Sequence, residues 1–454
     1  MPGTGRAVFA RLANGLPAVA WPVIPTPAGA GMLALLHQLD ASQWWDAARL
    51  ERHQHIQLAR LLAHARRTVP FFEERLAGYD VGIAVPSTDF AHLPRLSRDE
   101  VHDHGDALRS RVVPPAHGAL VGYVTSGSSG HPLRVAGTRL HGLFWRALVL
   151  RDHLWHRRDF GGRLAVLKAS AGDVLHANWG AATAGVFETG PSASFSSSRD
   201  VAEQAAWLHA QDPDYLLGYP SNLGAVLGYC RDQGFALPRL REVRSFGEAL
   251  PADLRAFCQA ELGVPLTDSY SAAEVGVIAL QCPHHDHYHV QSEHLLVEIL
   301  HPDGRRCAPG EQGRVVVTPL HNFAMPLIRY ELNDYAEVGP PCPCGRGLPV
   351  ITRILGRRRH MLRLPDGSRH WPSFPAELWQ PCPAIRQFQL VQIAPDAITL
   401  RLVVTRPLTP DEFAALGARL SARLGWPFRY EIEYCEQLAE RAGFEDFVSV
   451  LDEP

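Results

Sequence analysis

Residues 121–132 of this 454-residue chain read Val-Gly-Tyr-Val-Thr-Ser-Gly-Ser-Ser-Gly-His-Pro. The first four residues are strand-like, and a loop of glycines and hydroxyl side chains follows them. Glycines let backbone N–H groups approach an anion closely and hydroxyls add donors, so such a loop suits a polyphosphate. Loops of this composition also serve as flexible connections, and this one lacks the Lys-Ser/Thr pair of the common nucleoside-triphosphate loop. Taken alone, the loop leaves both interpretations open.

Beyond this loop, short apolar runs alternate with segments of helical period. The runs include 163–167 and 215–218, and the helical segments include 201–208 and 222–230. Strands that alternate with helices are typical of sheets covered by helices. The sequence therefore predicts an α/β fold.

Three other regions of the chain have sequence patterns that differ from this alternation. From Met32 to about Leu76 apolar residues recur at three- and four-residue intervals, and we predict a helical N-terminal part over 30–110. Residues 295–318 read as two strands around a Pro-Asp-Gly turn, which predicts an antiparallel, β-barrel-like part. We predict a large N-terminal domain over 1–355 and a small, mobile α+β domain over 356–454.

Composition narrows the class of protein. With 46% hydrophobic and 20% charged residues and a net charge of -3, the chain resembles neither a disordered protein nor a nucleic-acid binder. Four prolines interrupt the apolar stretch 15–36, which favours an irregular arm over a secretory signal or a spanning helix. Eight cysteines in this length are no dense disulfide framework and indicate a reducing compartment. We expect a cytoplasmic protein without nucleic-acid or membrane partners.

Five further motifs follow the glycine-rich loop. They are Gly218-Tyr-Pro-Ser221, Ser245-Phe-Gly-Glu-Ala-Leu250, Asp268-Ser-Tyr-Ser-Ala-Ala-Glu-Val-Gly276, Pro326-Leu-Ile-Arg-Tyr-Glu-Leu-Asn-Asp334 and Gly356-Arg357. In their content and order these six motifs resemble those of the adenylate-forming superfamily, most closely its phenylacetate–coenzyme A ligase and CapK-like branch. The matching segments extend across most of the chain.

The resemblance implies a nucleotide site with named roles. Tyr270 would stack on adenine, Glu274 would hold Mg²⁺, Asp334 would accept hydrogen bonds from the ribose hydroxyls, and Arg357 would meet the nucleotide after a hinge. Thr125 would act at the phosphates, and the further nucleotide-binding residues would be Ser126, Gly127, Ser128, Ser129, Gly130, Gly247, Glu248, Ser269 and Ser271. Outside this context, Tyr270 reads as a core aromatic, Glu274 as a solvated carboxylate and 357–359 as a basic turn.

The chemistry implied by the resemblance has two steps. A carboxylate oxygen attacks the α-phosphate of ATP and releases pyrophosphate, and a nucleophile then displaces AMP from the acyl carbon. The expected partners are a small acid, with an aromatic acid favoured, and an acceptor that is CoA, a carrier protein or an amine. The resemblance places the acid pocket near Trp179, 246–249 and 269–273.

The chain differs from the family at positions where the family has a lysine or a hinge aspartate. Lys168 is the only lysine, whereas the family has a Gly-Lys pattern near its C-terminus. Here Phe444 follows the corresponding glycine. Arg441 is the nearest residue that could replace the lysine, although its planar guanidinium differs in shape from an ammonium. His131 also replaces the usual lysine of the loop, and Arg359-His360 replaces the usual hinge aspartate. These departures put ordinary adenylation in question.

A second group of residues has the chemistry of a metal site. Cys282 begins Cys-Pro-His-His-Asp-His-Tyr-His289, and Cys342-Pro-Cys344 follows downstream. Three thiolates with one of the four histidines suit tetrahedral zinc, and four protein ligands would make the site structural. The resemblance favours Cys282, His289, Cys342 and Cys344. The competing interpretation is a histidine-rich surface loop with unrelated cysteines.

Three functions are consistent with these observations. The leading hypothesis is an ATP-dependent, AMP-forming acid ligase that uses Mg²⁺ and carries a structural Zn²⁺. The second is an enzyme that has lost adenylation and transfers an acyl group from a preformed adenylate or thioester. The third is a degenerate nucleotide-binding protein, against which the presence of Thr125, Glu274, Asp334 and Arg357 counts.

Overall fold

A computed structural model of the chain describes residues 11–79, 87–124, 133–168, 171–357, 361–370, 372, 374, 376–379, 381–436, 438 and 446–451. Several predicted site residues therefore lie outside the described residues. They are Thr125, Ser126, Gly127, Ser128, Ser129, Gly130 and Arg441. The substituted positions His131, Arg359, His360 and Phe444 are outside them as well.

Most helices of the described chain begin after a side chain that accepts a hydrogen bond from the first turn, or have proline at their start. Ser97 and Glu100 form a reciprocal capping box, as do Thr409 and Glu412. The helices are α1 (Pro27–Ser42), α2 (Ala47–Thr68), α3 (Pro70–Arg75), α4 (Ser87–His92), α5 (Arg98–Asp103), α6 (Arg139–Trp155), α7 (Val201–Gln211), α8 (Pro220–Gln233), α9 (Ala252–Glu261) and α10 (Pro410–Leu424).

The strands of the described residues form one large sheet and three small ones. In chain order they are β1 (Leu120–Val124), β2 (Arg134–Thr138), β3 (Leu164–Leu167), β4 (Val174–His176), β5 (Ser192–Phe195), β6 (Tyr215–Gly218), β7 (Glu242–Phe246), β8 (Leu266–Ala272), β9 (Gly276–Gln281), β10 (Tyr288–Val290), β11 (Leu295–Leu300), β12 (Gln312–Pro319), β13 (Tyr330–Val338), β14 (Val350–Arg357), β15 (Leu362–Arg363), β16 (Arg369–His370), β17 (Ile385–Ala394), β18 (Ala397–Val404), β19 (Arg429–Tyr434) and β20 (Phe447–Ser449).

The large sheet has twelve described strands in the order β11-β12-β13-β14-β10-β9-β8-β7-β6-β3-β5-β4. Strands β5, β3, β6, β7 and β8 are parallel neighbours. From β8 through β9, β10 and β14 to β11 every pairing is antiparallel. The antiparallel strands predicted after Leu295 therefore continue the parallel part in one sheet, and β13 and β14 reach the end of β8.

Among the described residues, three large hydrophobic cores pack against this sheet. The first core joins α2, the β1–β2 hairpin and the antiparallel strands, and it contains Tyr270 and Tyr330. The second core lies on the face covered by α1 and α6 and contains Leu164 and Tyr215. The third core lies on the face covered by α7, α8 and α9, and it contains Leu167.

The C-terminal segment has a core of its own. Strands β17–β20 form a four-stranded sheet in the order β19-β18-β17-β20, and α10 packs on it through Leu416, Leu420 and Leu424. The buried members of this fourth core all come from residue 362 onward. The predicted α/β class with a smaller α+β C-terminal part is confirmed. Among the described helices, none combines the length and apolar composition that a membrane span requires.

Buried His141 and His294 and half-buried His321 form an aromatic cluster. The rings of His141 and His294 lie 5.6 Å apart, and those of His294 and His321 lie 6.1 Å apart in parallel planes. Burial, reinforced by neighbouring histidines, lowers the pKa of His141 to about 3 and that of His294 to about 3. Burial also lowers the pKa of His321 to about 4. The folded protein therefore holds these rings neutral.

This cluster is expected to make the protein acid-sensitive. An unfolded histidine has a pKa of about 6.5, so below that pH the unfolded chain binds protons at these histidines and the folded chain does not. The resulting stability is complete above pH 6.5 and falls by up to about 1.4 kcal/mol per pH unit for each histidine as the pH decreases. Urea unfolding between pH 7.5 and 5.0 measures this slope. His141→Leu should make it shallower, and equal slopes for the variant and the wild type would contradict the assignment.

Candidate nucleotide site and metal cluster

The candidate nucleotide site forms where the parallel and antiparallel halves of the large sheet meet. Tyr270 lies near the end of β8 and is buried in the first core. Its hydroxyl donates to Asp334 Oδ2 at 2.7 Å, so β8 and β13 are linked directly across the site. Burial and the Asp334 carboxylate raise the pKa of Tyr270 well above its ordinary value. Tyr270 is therefore a hydrogen-bond donor at neutral pH.

Glu274 lies in the turn between β8 and β9 and is buried. The Tyr330 hydroxyl donates to Glu274 Oε1 at 3.2 Å, and Arg98 Nη1 lies 3.5 Å from the same oxygen. Burial, and then the Glu274 charge, raise the pKa of Tyr330. Carboxylates that are buried need such partners, because an isolated buried charge is costly. The site thus holds a preoriented carboxylate beside Tyr270.

Asp334 and Arg357 are brought together by strand pairing. They are opposite each other in the antiparallel register of β13 and β14, and Arg357 Nε lies 3.8 Å from Asp334 Oδ1. The register shifts directly after Tyr335, and the residue preceding Asp334, Asn333, has a φ of 62°. Such irregularities in a strand re-aim a side chain and are common beside active sites. Here they accompany the carboxylate that faces Tyr270.

The predicted adenine segment follows β7. Gly247 has a φ of 81°, and a side chain there would approach the Tyr219 ring to 3.2 Å. Glu248 Oε2 accepts a hydrogen bond from the Ser221 N–H at 3.0 Å, within the first turn of α8. A carboxylate at a helix N-terminus is favoured by the unsatisfied N–H groups and the helix dipole. The segment therefore packs against the Gly218–Ser221 motif.

The glycine-rich loop is flanked by a hairpin that packs beside this site. Strands β1 and β2 pair in antiparallel register, with Val124 opposite Arg134. Leu133 and Val135 are buried in the first core, which also contains Tyr270 and Tyr330. The strand that follows the loop is therefore anchored in the core that contains Tyr270 and Tyr330.

The structure brings together Tyr270, Glu274, Asp334 and Arg357, which come from three separate motifs. Two further members of the site, Arg98 and Tyr330, were not identified from the sequence. Tyr330 belongs to a quoted motif, so its hydroxyl was an available signal. Arg98 had no such signal, because its approach to Glu274 depends on how α5 packs against the sheet.

Other predicted residues have packing roles or are adjacent to the site. Ser269 Oγ donates to the Ser245 carbonyl at 3.4 Å, and Ser271 lies in β8 next to Tyr270. Trp179 is buried in the second core, where its indole N–H donates to the Gly162 carbonyl at 3.0 Å. Gly162 precedes β3, so Trp179 lies toward the amino end of that strand and serves packing rather than the acid pocket.

The candidate metal ligands converge in three dimensions. The ligand atoms of Cys282, His289, Cys342 and Cys344 all lie within 4.8 Å of one another. Cys282 Sγ and Cys342 Sγ are 3.9 Å apart, close to the edge of about 3.8 Å that a tetrahedron with Zn–S bonds of about 2.3 Å requires. Burial raises the pKa of the Cys342 thiol to about 12, so without a cation nearby this thiol is protonated. The donor set and its spacing fit zinc.

His287 is adjacent to this cluster without being part of the four-atom group. Its Nε2 lies 2.9 Å from Cys342 Sγ, whereas His289 Nε2 lies 3.4 Å from Cys344 Sγ. His284 and His285 are exposed. Cys282 follows β9, and Cys342 and Cys344 lie in the β13–β14 connection. A bound metal would therefore tie these two segments of the sheet together.

A broad cleft with a volume of about 1000 Å³ lies elsewhere, at the amino ends of β6, β7 and β8. Its lining includes His156, Arg157, Arg241 and Arg255. The predicted motif residues of the nucleotide site lie at the opposite, carboxyl ends of these strands. The candidate nucleotide site is therefore defined by the side chains that converge there, and this cleft is a separate feature.

Comparisons with known proteins show what the whole chain is similar to. No protein-family model matches the chain. The chain is 26% identical over 381 residues to a phenylacetate–coenzyme A ligase of Aromatoleum evansii, covering 78% of this chain and 82% of that protein. It is 27% identical over 404 residues to a phenylacetate–coenzyme A ligase of Thermus thermophilus, covering 85% of this chain and 83% of that protein.

A solved structure shares the fold. The crystal structure of a 2-hydroxyisobutyryl-CoA ligase in the postadenylation state, with a bound acyl-AMP, superposes with a TM-score of 0.69. It is 18% identical and covers 90% of this chain and 91% of that chain. The resemblance to adenylate-forming ligases and to the phenylacetate–coenzyme A ligase branch is confirmed. The likeness of sequence is to phenylacetate–coenzyme A ligases, and the likeness of structure shows a shared fold.

Proposed function

We propose that this chain, which resembles phenylacetate–coenzyme A ligases over most of its length, activates a small carboxylic acid with ATP and transfers the acyl group to a thiol. The observation that carries the proposal is the convergence of Tyr270, Glu274, Asp334 and Arg357. Their side chains supply an aromatic ring, two carboxylates and a guanidinium within one site. Each of these groups suits one part of a nucleotide bound with Mg²⁺.

Each of the four side chains has a role that its surroundings support. Asp334 would accept hydrogen bonds from the ribose, with its orientation fixed by the Tyr270 hydroxyl. Arg357 would face the phosphates from the end of β14. The loop 125–130 would bind the phosphates through its N–H groups and hydroxyls. Tyr270 would present its ring to adenine, with Gly247 and Glu248 on the neighbouring strand end.

The residues fit a magnesium ion at Glu274. Its carboxylate is held by the Tyr330 hydroxyl, and hard oxygen ligands of this kind suit Mg²⁺ beside phosphates. When bound, the ion would neutralise charge on the phosphates during attack by the substrate carboxylate. Glu274 would orient it, and Arg98 would compensate part of the carboxylate charge in the absence of ligand.

Both chemical steps are substitutions at centres that this site would hold. In the first, a carboxylate oxygen of the acid bonds to the α-phosphorus and pyrophosphate leaves. In the second, a thiol sulfur bonds to the acyl carbon and AMP leaves. Charge on phosphate oxygens increases in the first step, so preoriented cations and N–H groups should matter most there. We propose coenzyme A as the acceptor, because the curated relatives are coenzyme A ligases.

The C-terminal residues are proposed to act as a separate, moving unit. Strand β14 ends at Arg357, and the fourth core begins at Leu362, so few residues join the two parts. Rotation of a small domain about this connection would exchange the groups that face the nucleotide between the two steps. Arg441 would then supply positive charge in place of the family's lysine.

A second candidate is acyl transfer without adenylation. Phe444 at the expected lysine position favours it, because no lysine other than Lys168 exists in the chain. One assay separates the candidates: an acid panel with ATP, Mg²⁺ and coenzyme A in which pyrophosphate, AMP and acyl product are quantified together. Equal amounts of all three products support ligation. Acyl transfer from a supplied adenylate without pyrophosphate formation supports the second candidate.

A further inference from the structure

The only lysine of the chain lies at the same edge of the sheet as the candidate nucleotide site. Lys168 directly follows β3, which is parallel to β6, and β6, β7 and β8 are parallel in turn. The carboxyl ends of parallel strands lie at one edge, where ligands of open α/β sheets bind. Lys168 therefore shares this edge with Tyr270 at the end of β8.

The backbone of Lys168 remains in the parallel ladder. Its N–H donates to the Phe195 carbonyl at 3.1 Å, and its carbonyl accepts from the Ser197 N–H at 3.3 Å. The alternation of side chains along a strand therefore extends to this residue. Lys168 is therefore the last residue held by the ladder, and a turn starts at it, because its carbonyl also accepts from the Ala171 N–H at 3.0 Å.

This alternation assigns the side chain of Lys168 to one face of the sheet. Leu164 and Val166 pack in the second core, whereas Ala165 and Leu167 pack in the third. Two residues beyond Val166, Lys168 is on the face of the second core. The aliphatic part of the side chain can extend along that face while the ammonium remains in solvent.

Two aromatic residues occupy the same face between Lys168 and β8. Tyr215 and Leu217 of β6 pack in the second core, so Tyr219 follows on that face. Arg244 of β7 binds Asp152 on α6, which covers the same face, and Phe246 follows it two residues later. The rings of Tyr219 and Phe246 are in contact, with centroids 4.8 Å apart.

The order of the strands gives the spacing of these groups. Strands β8, β7, β6 and β3 are consecutive, and neighbouring strands lie about 4.8 Å apart, so β3 is roughly 14 Å from β8. An acid with its reacting carboxylate near β8 would extend over Phe246 and Tyr219 toward Lys168. The side chain of Lys168 is exposed and makes no hydrogen bond or ion pair with any described residue.

We infer that Lys168 binds a second carboxylate at the far end of the acid, so that the substrate is an elongated, flat dicarboxylic acid. The inference rests on the proposed function and specifies its substrate class. The two aromatic rings would hold the body of the acid, and the ammonium would form a charge-assisted hydrogen bond with the distal carboxylate. The adjacent Tyr219 phenol, whose pKa burial raises, offers a neutral donor beside it.

Substitution of Lys168 tests this assignment through substrate preference. The probes are benzene-1,4-dicarboxylate and 4-methylbenzoate, which differ only in the distal group. In Lys168→Met the ratio of kcat/KM for the diacid to that for the monoacid should fall about tenfold. Lys168→Arg keeps the charge and should retain the ratio within a few-fold. A wild type that prefers the monoacid, or an unchanged ratio in Lys168→Met, would overturn the inference.

Failure of the proposed function is distinguishable in the same experiment. If the wild type forms AMP with neither probe nor with any other acid of the panel, the proposed function fails and this inference fails with it. If monoacids are activated and diacids are not, only the inference fails.

A measurement without turnover uses the fact that Lys168 is the only lysine. An amine-acetylating reagent can modify only Lys168 and the α-amino group, and peptide mass spectrometry separates the two products. With benzene-1,4-dicarboxylate present, acetylation of Lys168 should slow several-fold, whereas the α-amino group serves as an internal control. Equal rates with the diacid, with 4-methylbenzoate and without acid would contradict the inference.

Discussion

Glu274→Gln is expected to reduce acid-dependent pyrophosphate exchange by a factor on the order of a hundred or more. The amide keeps the size of the side chain and can still accept from the Tyr330 hydroxyl. It loses the negative charge that is proposed to hold Mg²⁺ against the phosphates. At about 1.4 kcal/mol per tenfold, a hundredfold loss corresponds to about 3 kcal/mol of stabilisation of the reacting phosphates. The half-saturating Mg²⁺ concentration should rise with it.

The matched control is Glu261→Gln, which makes the same chemical change at the exposed end of α9. This variant should exchange pyrophosphate like the wild type. Thermal unfolding of both variants shows whether Glu274→Gln remains folded, since its effect should be on activity and magnesium dependence. Exchange by Glu274→Gln within twofold of the wild type would contradict the role of this carboxylate.

Cys342→Ser is expected to abolish zinc binding and to destabilise the fold. Its sulfur lies within the four-atom group and 3.9 Å from that of Cys282, so its removal leaves three ligands. The metal binds the folded site and not the unfolded chain, so its binding free energy contributes directly to folding. The free energy of unfolding should therefore fall by an amount on the order of 4 kcal/mol. For a chain of 454 residues that corresponds to a decrease in Tm of roughly 4 °C. Elemental analysis and thermal unfolding measure the two effects.

Cys435→Ser provides the control, because this partly exposed cysteine at the end of β19 lies outside the cluster. It should retain one zinc per chain and the wild-type Tm. His287→Gln separates ligation from proximity: it should keep the metal, since the ligand atom of His289 and not that of His287 belongs to the four-atom group. Wild-type protein purified without chelators and free of zinc would refute the metal assignment.

Local structure followed the sequence patterns closely in several elements. The apolar run predicted at 215–218 is β6, and the helical period predicted at 222–230 lies within α8. Such patterns predict local structure because a strand or helix buries one face, so its apolar residues recur at a fixed interval along the sequence. The run 119–124 shows the limit: it forms β1, yet it pairs only with β2 among the described strands and stays outside the large sheet. Which strands pair depends on long-range contacts, and the spacing of apolar residues within one segment does not encode these contacts.

The same distinction applies to the candidate site. Tyr270, Glu274, Asp334 and Arg357 were identified because each belongs to a motif with a recognisable order. Their contacts were not predictable, since the meeting of Tyr270 and Asp334 depends on the register and irregularities of β13 and β14. The cysteines of the metal cluster and, through the resemblance, His289 were named from the sequence, whereas the approach of His287 to Cys342 Sγ is visible only in the structure. The substrate preference proposed for Lys168 depends on strand order, which the sequence alone did not contain.

The most direct test of the proposed ligase is pyrophosphate exchange into ATP with no thiol present, measured across a panel of mono- and dicarboxylic acids. Exchange reports only the first step, so neither the identity of the acceptor nor the rate of transfer affects it. We expect exchange that requires both an acid and Mg²⁺, despite the absence of a C-terminal lysine from the sequence. Acyl transfer from a supplied acyl-adenylate, with no exchange for any acid, would contradict adenylation by this chain.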